Sequence, residues 1–201
     1  MNELKKFWPF DDSFYKTKVY ISEDEKKQIK LFLDNFKHSR DPDQITTFEK
    51  INILNLPMLK DLKKQITDIL DSLDLLLADN WAQQYKKGNE HSLHSHHGSV
   101  YSGALYVDQS RETQGTVFVH PAGDAVKIST SRFRYFFQPT FEPSVLILFP
   151  SYVTHFVKTE KEDNGRIVIS FNTLESEKSI YNTNNNIITK GEEKYGRINN
   201  N

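Results

Sequence analysis

From residue 81 onward the sequence breaks into short β-rich runs with no helical segment between them: 100–107, 116–119, 133–137, 145–149 and 166–171. Turn signals separate these runs: Gly98, Gln114-Gly115, Pro121 to Asp124, Pro139, Pro143 and Asn164-Gly165. Many short strands in succession predict an all-β barrel or jelly roll. The N-terminal part reads differently. Ser22 and Glu25 make a capping box ahead of Ile29, Leu31, Phe32 and Phe36. Pro57 suits the first turn of a second helix, whose stripe runs Leu59, Leu62, Ile66, Ile69, Leu70, Leu73, Leu76 and Leu77. Between these helices, 51–56 reads as one short strand with a slip in its alternation at Leu54. The expected fold is mainly β with α: residues 1–80 form a helical support, 81–174 the β core, and 175–201 a polar, flexible tail.

A chain of 201 residues fits one domain. Its formal net charge of -1 argues against a nucleic-acid or anionic-membrane binder. With no cysteine, a disulfide framework, a thiolate metal site and a cysteine nucleophile are all excluded. The absence of an apolar leader at MNELKKFWPF, or of any run long enough to span a bilayer, leads to a cytoplasmic expectation. There is no Gly-rich phosphate loop and no His-Glu-x-x-His signature.

Histidine carries the chemistry. Four of the seven histidines, His91, His94, His96 and His97, fall within seven residues. On an extended chain His94 and His96 share a face and can serve one metal ion, whereas His97 points away and His91 lies farther off. His155 opens a short β run after the buried stretch 145–149, and Arg166 follows it by eleven positions. In the strand that Arg166 opens, Ile167, Ile169 and Phe171 form an apolar face, and Arg166, Val168, Ser170 and Asn172 line the other. An inward guanidinium there suits a carboxylate better than a lysine would.

The segments Tyr85-Lys-Lys-Gly-Asn-Glu-His-Ser-Leu-His94-Ser-His96, Ser102-Gly-Ala-Leu-Tyr-Val107, Leu148-Phe-Pro-Ser-Tyr-Val-Thr-His155 and Arg166-Ile-Val-Ile-Ser-Phe-Asn172 together resemble the Fe(II)/2-oxoglutarate-dependent oxygenases. The nearest likeness is to 2-oxoglutarate oxygenases of marine phage and bacteria, distant relatives of the prolyl 4-hydroxylases. The resemblance implies a double-stranded β-helix and a dioxygenase using Fe(II), 2-oxoglutarate and O2. Such an enzyme hydroxylates a substrate, here unidentified, and releases succinate and CO2. It also implies that His94, His96 and His155 hold the metal, and that Arg166, Tyr106 and Tyr85 bind the cosubstrate. His96 stands where the wider superfamily has a carboxylate, a departure the phage-type subgroup shares. Asp108 and Glu90 are the fallback third ligands. Two other readings compete: a cupin-like three-histidine metalloprotein with no use for 2-oxoglutarate or Arg166, and a non-catalytic β module with incidental histidines. The expected substrate is a small molecule or a protein side chain, recognised by loops at the barrel mouth. Arg132 and Arg134 read either as further substrate contacts or as charges on an exposed β edge that discourage strand pairing.

Overall fold

The computed structural model describes residues 5–7, 13–37, 45–109, 115–123, 135–162 and 166–177. Two sheets face each other, and two helices cover the outer face of the larger one. The strands are β1 (Lys5–Phe7), β2 (Phe14–Lys18), β3 (Ile45–Thr46), β4 (Leu75–Tyr85), β5 (His91–His94), β6 (Tyr101–Gln109), β7 (Thr116–Val119), β8 (Phe136–Phe137), β9 (Val145–Pro150), β10 (His155–Val157) and β11 (Arg166–Glu175). The larger sheet has the order β1-β2-β9-β6-β11-β4-β3, and the smaller one β5-β10-β7-β8. All pairings are antiparallel. This is the expected jelly roll.

Helix α1 (Glu23–Asp34) begins at the expected capping box: the Glu25 amide donates to Ser22 Oγ at 3.2 Å, and the Ser22 amide to Glu25 Oε2 at 2.8 Å. Its buried residues are Ile29 and Leu33, one turn apart; Leu31, expected on the apolar stripe, is exposed. Helix α2 (Lys60–Asp71) follows a 3-10 turn over Pro57–Leu59 and buries Leu62, Ile66 and Leu70. The helical stripe read through Leu77 ends early. Asp74 takes a positive φ of 55°, and β4 starts at Leu75. The expected strand at 51–56 is instead a 3-10 turn over Ile53–Asn55. Asparagine side chains fix that turn, because the Leu54 amide donates to Asn80 Oδ1 at 2.8 Å and the Asn80 amide to Asn52 Oδ1 at 3.0 Å. The N-terminal region is also less purely helical than expected, since β1, β2 and β3 join the larger sheet.

The two faces of the larger sheet serve different cores. Leu105, Leu146, Leu148, Ile167, Ile169 and Phe171 pack against the helices. Phe14, Ala104, Tyr106, Ile147, Phe149 and Val168 face Phe118 of the smaller sheet. β9, buried along its whole length, reads as a continuous apolar run because both its faces are covered. The turns at 114, 124 and 164–165, Arg132, Phe133 and Arg134, and the tail beyond 177 lie outside the described residues.

The β6–β11 contact sets a close-packing requirement. Gly103 pairs with Phe171, and a Cβ at Gly103 would sit 2.1 Å from the Phe171 ring. Gly103→Ala is expected to destabilise the fold by about 1–3 kcal/mol through overpacking. Urea unfolding checks this, and a parental midpoint would contradict the packing.

Candidate metal centre

The small sheet delivers two of the histidines. His155 on β10 is the direct cross-strand partner of His94 on β5, with ring centroids 4.2 Å apart. His96 lies just past the end of β5, where its amide donates to the Ser151 carbonyl at 2.9 Å. Its ring is parallel to that of His155, and the two Nε2 atoms are 3.3 Å apart. One nitrogen from each of His94, His96 and His155 falls within 4.8 Å of the others, and no carboxylate joins the cluster among the described residues.

Local hydrogen bonds prepare two of these rings as ligands. His94 Nδ1 donates to the Ser92 carbonyl at 2.8 Å, and His155 Nδ1 to the Val153 carbonyl at 3.0 Å. Each bond leaves the Nε2 lone pair for a metal. Burial disfavours the charged imidazolium throughout. It pushes His155 well below its usual range and lowers His94; His96, which also feels His94, falls to about 4. Neutral rings are what a metal needs.

The same pocket reaches Arg166 and Tyr85. Arg166 is 2% exposed, with its guanidinium carbon 4.5 Å from the Tyr85 ring centroid and 5.9 Å from that of Tyr106. β11 pairing places Arg166 opposite Tyr85 on β4 and Val168 opposite Tyr106 on β6. Tyr85 lines the pocket, and its hydroxyl donates to Gln83 Oε1 at 3.2 Å. Tyr106 is fully buried and does not line it; its hydroxyl sits 2.7 Å from Thr116 Oγ1, and Thr116 does line it. Burial raises the Tyr106 pKa, so its phenol keeps its proton at neutral pH. The fallback ligands stay out of the cluster: Asp108 is exposed, and Glu90 accepts a bond from Thr159 at 2.7 Å. His97 is exposed and stays out of the cluster, but it does not point away as expected, since it lines an outer pocket with His94 and His96.

His91 sits closer than sequence spacing suggested. Between His94–His155 and Val157–His91 the pairing shifts, so three steps along β5 match two along β10. This bulge turns His91 to the pocket side, stacked 4.2 Å from His94. Trp81 and Gln83 also line the pocket. Stepping back by two from Tyr85 along β4 would have found both, had the strand's start been read correctly.

A double-stranded β-helix enclosing three converging imidazoles is a candidate metalloenzyme. Residues 79–172, just under half of the chain, match a family described as "Putative 2OG-Fe(II) oxygenase". Over this segment the chain is similar to the 2OG-Fe(II) oxygenases, and it is an Fe(II)/2-oxoglutarate-dependent oxygenase whose substrate is unidentified. Solved structures share the fold at low identity. HygX from Streptomyces hygroscopicus, with nickel, 2-oxoglutarate and hygromycin B bound, aligns at TM-score 0.59 and 12% identity, over 83% of this chain and 84% of its own. EctD from S. alaskensis aligns at 0.58 and 14%, over 88% and 85%. The viral collagen prolyl hydroxylase of Paramecium Bursaria Chlorella virus-1, in a 2-oxoglutarate complex, aligns at 0.51 and 14%, over 80% and 94%. No curated protein matches the sequence. No helix among the described residues is long and apolar enough to cross a membrane.

The depressed imidazole values have a testable consequence in the metal-free protein. An unfolded chain takes up these protons below about 6.5, and the folded one resists them. Stability is therefore expected to fall as pH drops from about 6.5 toward 4, where His96 titrates. Histidine NMR titration checks this: a His96 midpoint near 6.5 would contradict the buried, neutral cluster.

Proposed function

We propose that His94, His96 and His155 hold the iron and that Arg166 anchors the far carboxylate of 2-oxoglutarate. The observation that carries this is one pocket lined both by three converging imidazoles and by a buried arginine. When bound, iron supplies the centre at which O2 is activated, with 2-oxoglutarate consumed to succinate and CO2. The chain's own residues bind, orient and exclude water. Arg166, flanked by two tyrosine rings, keeps its fork aimed at a carboxylate, where a charge-assisted bidentate contact gives both strength and direction. Tyr85, on the pocket wall, can turn its single phenol proton from Gln83 Oε1 to the cosubstrate. Tyr106 acts through Thr116: its phenol donates to Thr116 Oγ1, which leaves the Thr116 hydroxyl on the pocket wall free to donate to the cosubstrate. Phe149 and Val168 complete a dry wall around the site.

A second, more open pocket meets this one at the histidines and is lined by Phe48, Trp81, Gln83 and Asn172. The substrate enters there. Phe48 packs edge-on to Trp81 at 4.9 Å, and Trp81 stacks on His96 at 5.9 Å, so an aromatic wall leads to the metal position. The reaction is a hydroxylation of a small molecule or a protein side chain in this outer pocket.

Arg166→Ala is expected to weaken 2-oxoglutarate binding about tenfold to hundredfold, the effect of losing roughly 1.5–3 kcal/mol of hydrogen bonding to a charged group. Anaerobic Fe(II) affinity should stay near parental, and Arg166→Lys should fall between. Titration of the Fe(II) protein with 2-oxoglutarate, followed by visible absorption, reads this. Saturable binding unaffected by Arg166→Ala would overturn the anchor assignment. Separately, His94→Ala and His155→Ala should each abolish stoichiometric Fe(II) binding, measured by equilibrium dialysis. Parental binding in both would overturn the ligand assignment.

A further inference from the structure

Three imidazoles leave the iron site one negative charge short of a site with two histidines and a carboxylate. Resting on the three-histidine reading above, we propose that Asn172 and Asp79 are positioning residues that return part of that charge to the metal centre through His96.

Asn172 ends the polar, inward-facing side of β11 and pairs with Ser102 on β6. Its Nδ2 donates to Asp79 Oδ2 at 3.0 Å, and its Oδ1 accepts from Ser102 Oγ at 2.9 Å. Asn172 also lines the outer pocket together with His96, near enough for its amide to act on the ring. An amide oxygen has two lone pairs, so Oδ1 can serve both Ser102 and an imidazole N–H while the NH2 stays on Asp79. The loop closes through Ser151: its Oγ is 2.8 Å from Ser102 Oγ, and its carbonyl accepts the His96 amide at 2.9 Å. His96 is therefore tied at its backbone to Ser151, and through Ser151 and Ser102 to the Asn172 amide that lines the pocket with its ring. His94 and His155 have backbone carbonyls as their Nδ1 acceptors. His96, at the position where the wider superfamily places the anion, is tied to a chain ending in a carboxylate.

The chemistry of such a chain is known in general terms. An acceptor on a ligand's outer nitrogen orients the ring and makes it a stronger donor, and removing it costs about 10–100-fold in metal affinity. A carboxylate polarises the amide that lies between it and the ring. Asp79 is exposed, so solvent screens its charge and its share is smaller than that of Asn172.

The test combines anaerobic Fe(II) affinity with the visible band of the Fe(II) protein carrying 2-oxoglutarate. Asn172→Ala should weaken Fe(II) binding about tenfold or more, and Asp79→Asn by a few fold. In both variants the band should move to shorter wavelength, because a less electron-rich iron gives up charge to the keto acid less readily. The double variant Asp79→Asn/Asn172→Asp moves the carboxylate one step nearer the ring. It should restore affinity and return the band to parental or longer wavelength, a rescue that a merely structural role would not produce. Parental affinity and band in Asn172→Ala and Asp79→Asn, with His96→Ala losing iron, would overturn the chain alone. Should Asn172→Ala fail to fold, Asp79→Asn and the double variant decide by the same criteria. Parental Fe(II) binding in His96→Ala would overturn the three-histidine reading and this inference together.

Discussion

β11 lies between β4 and β6 and is paired with both, and this double pairing sets the register on which the interior depends. Because side chains alternate, one register sends Ile167, Ile169 and Phe171 to the helices and Arg166 and Val168 to the space between the sheets. A slip of one residue would turn Ile167 toward the pocket and Arg166 toward the apolar core beneath the helices. Phe171 guards against this slip, because its ring fits only over the Cβ-less Gly103. The strand that closes the larger sheet's core therefore also delivers Arg166 and Asn172 to the two ends of the site.

The smaller sheet adds the metal side. Antiparallel pairing of β10 with β5 puts His155 opposite His94 without any long-range adjustment, and the bulge that follows brings in His91. Burial keeps these rings neutral, and backbone carbonyls orient two of them. The site is electron-rich in nitrogen donors and poor in negative charge. A carboxylate, that of Asp79, accepts from Asn172 at the rim of the outer pocket.

Much of this was legible from the residues because β alternation is local. The runs at 116–119, 145–149 and 166–171 read directly as strands, since apolar alternation or full burial marked them. His94, His96, His155 and Arg166 stood out by residue type and spacing. The β4 boundary was obscured because Leu73, Leu76 and Leu77 continue the helical spacing of α2, and only the positive φ at Asp74 breaks it. The turn over Ile53–Asn55 depends on Asn80, more than twenty residues away, so local pattern could not reveal it. His91 was misplaced for a similar reason: a bulge is a property of a pair of strands, and β5 alone does not show it. The position of Tyr106 behind a hydroxyl partner depends on β7, which a reading of β6 alone leaves out.

The central claim is that one interior pocket holds iron on three imidazoles and 2-oxoglutarate on Arg166. An anaerobic crystal structure of the Fe(II) protein soaked with 2-oxoglutarate tests it most directly. The account predicts metal density bounded by Nε2 of His94, His96 and His155, no carboxylate side chain among the ligands, and the keto acid's far carboxylate in bidentate contact with Arg166. A metal bound through Glu90 or Asp108, or a keto acid lying away from Arg166, would contradict it.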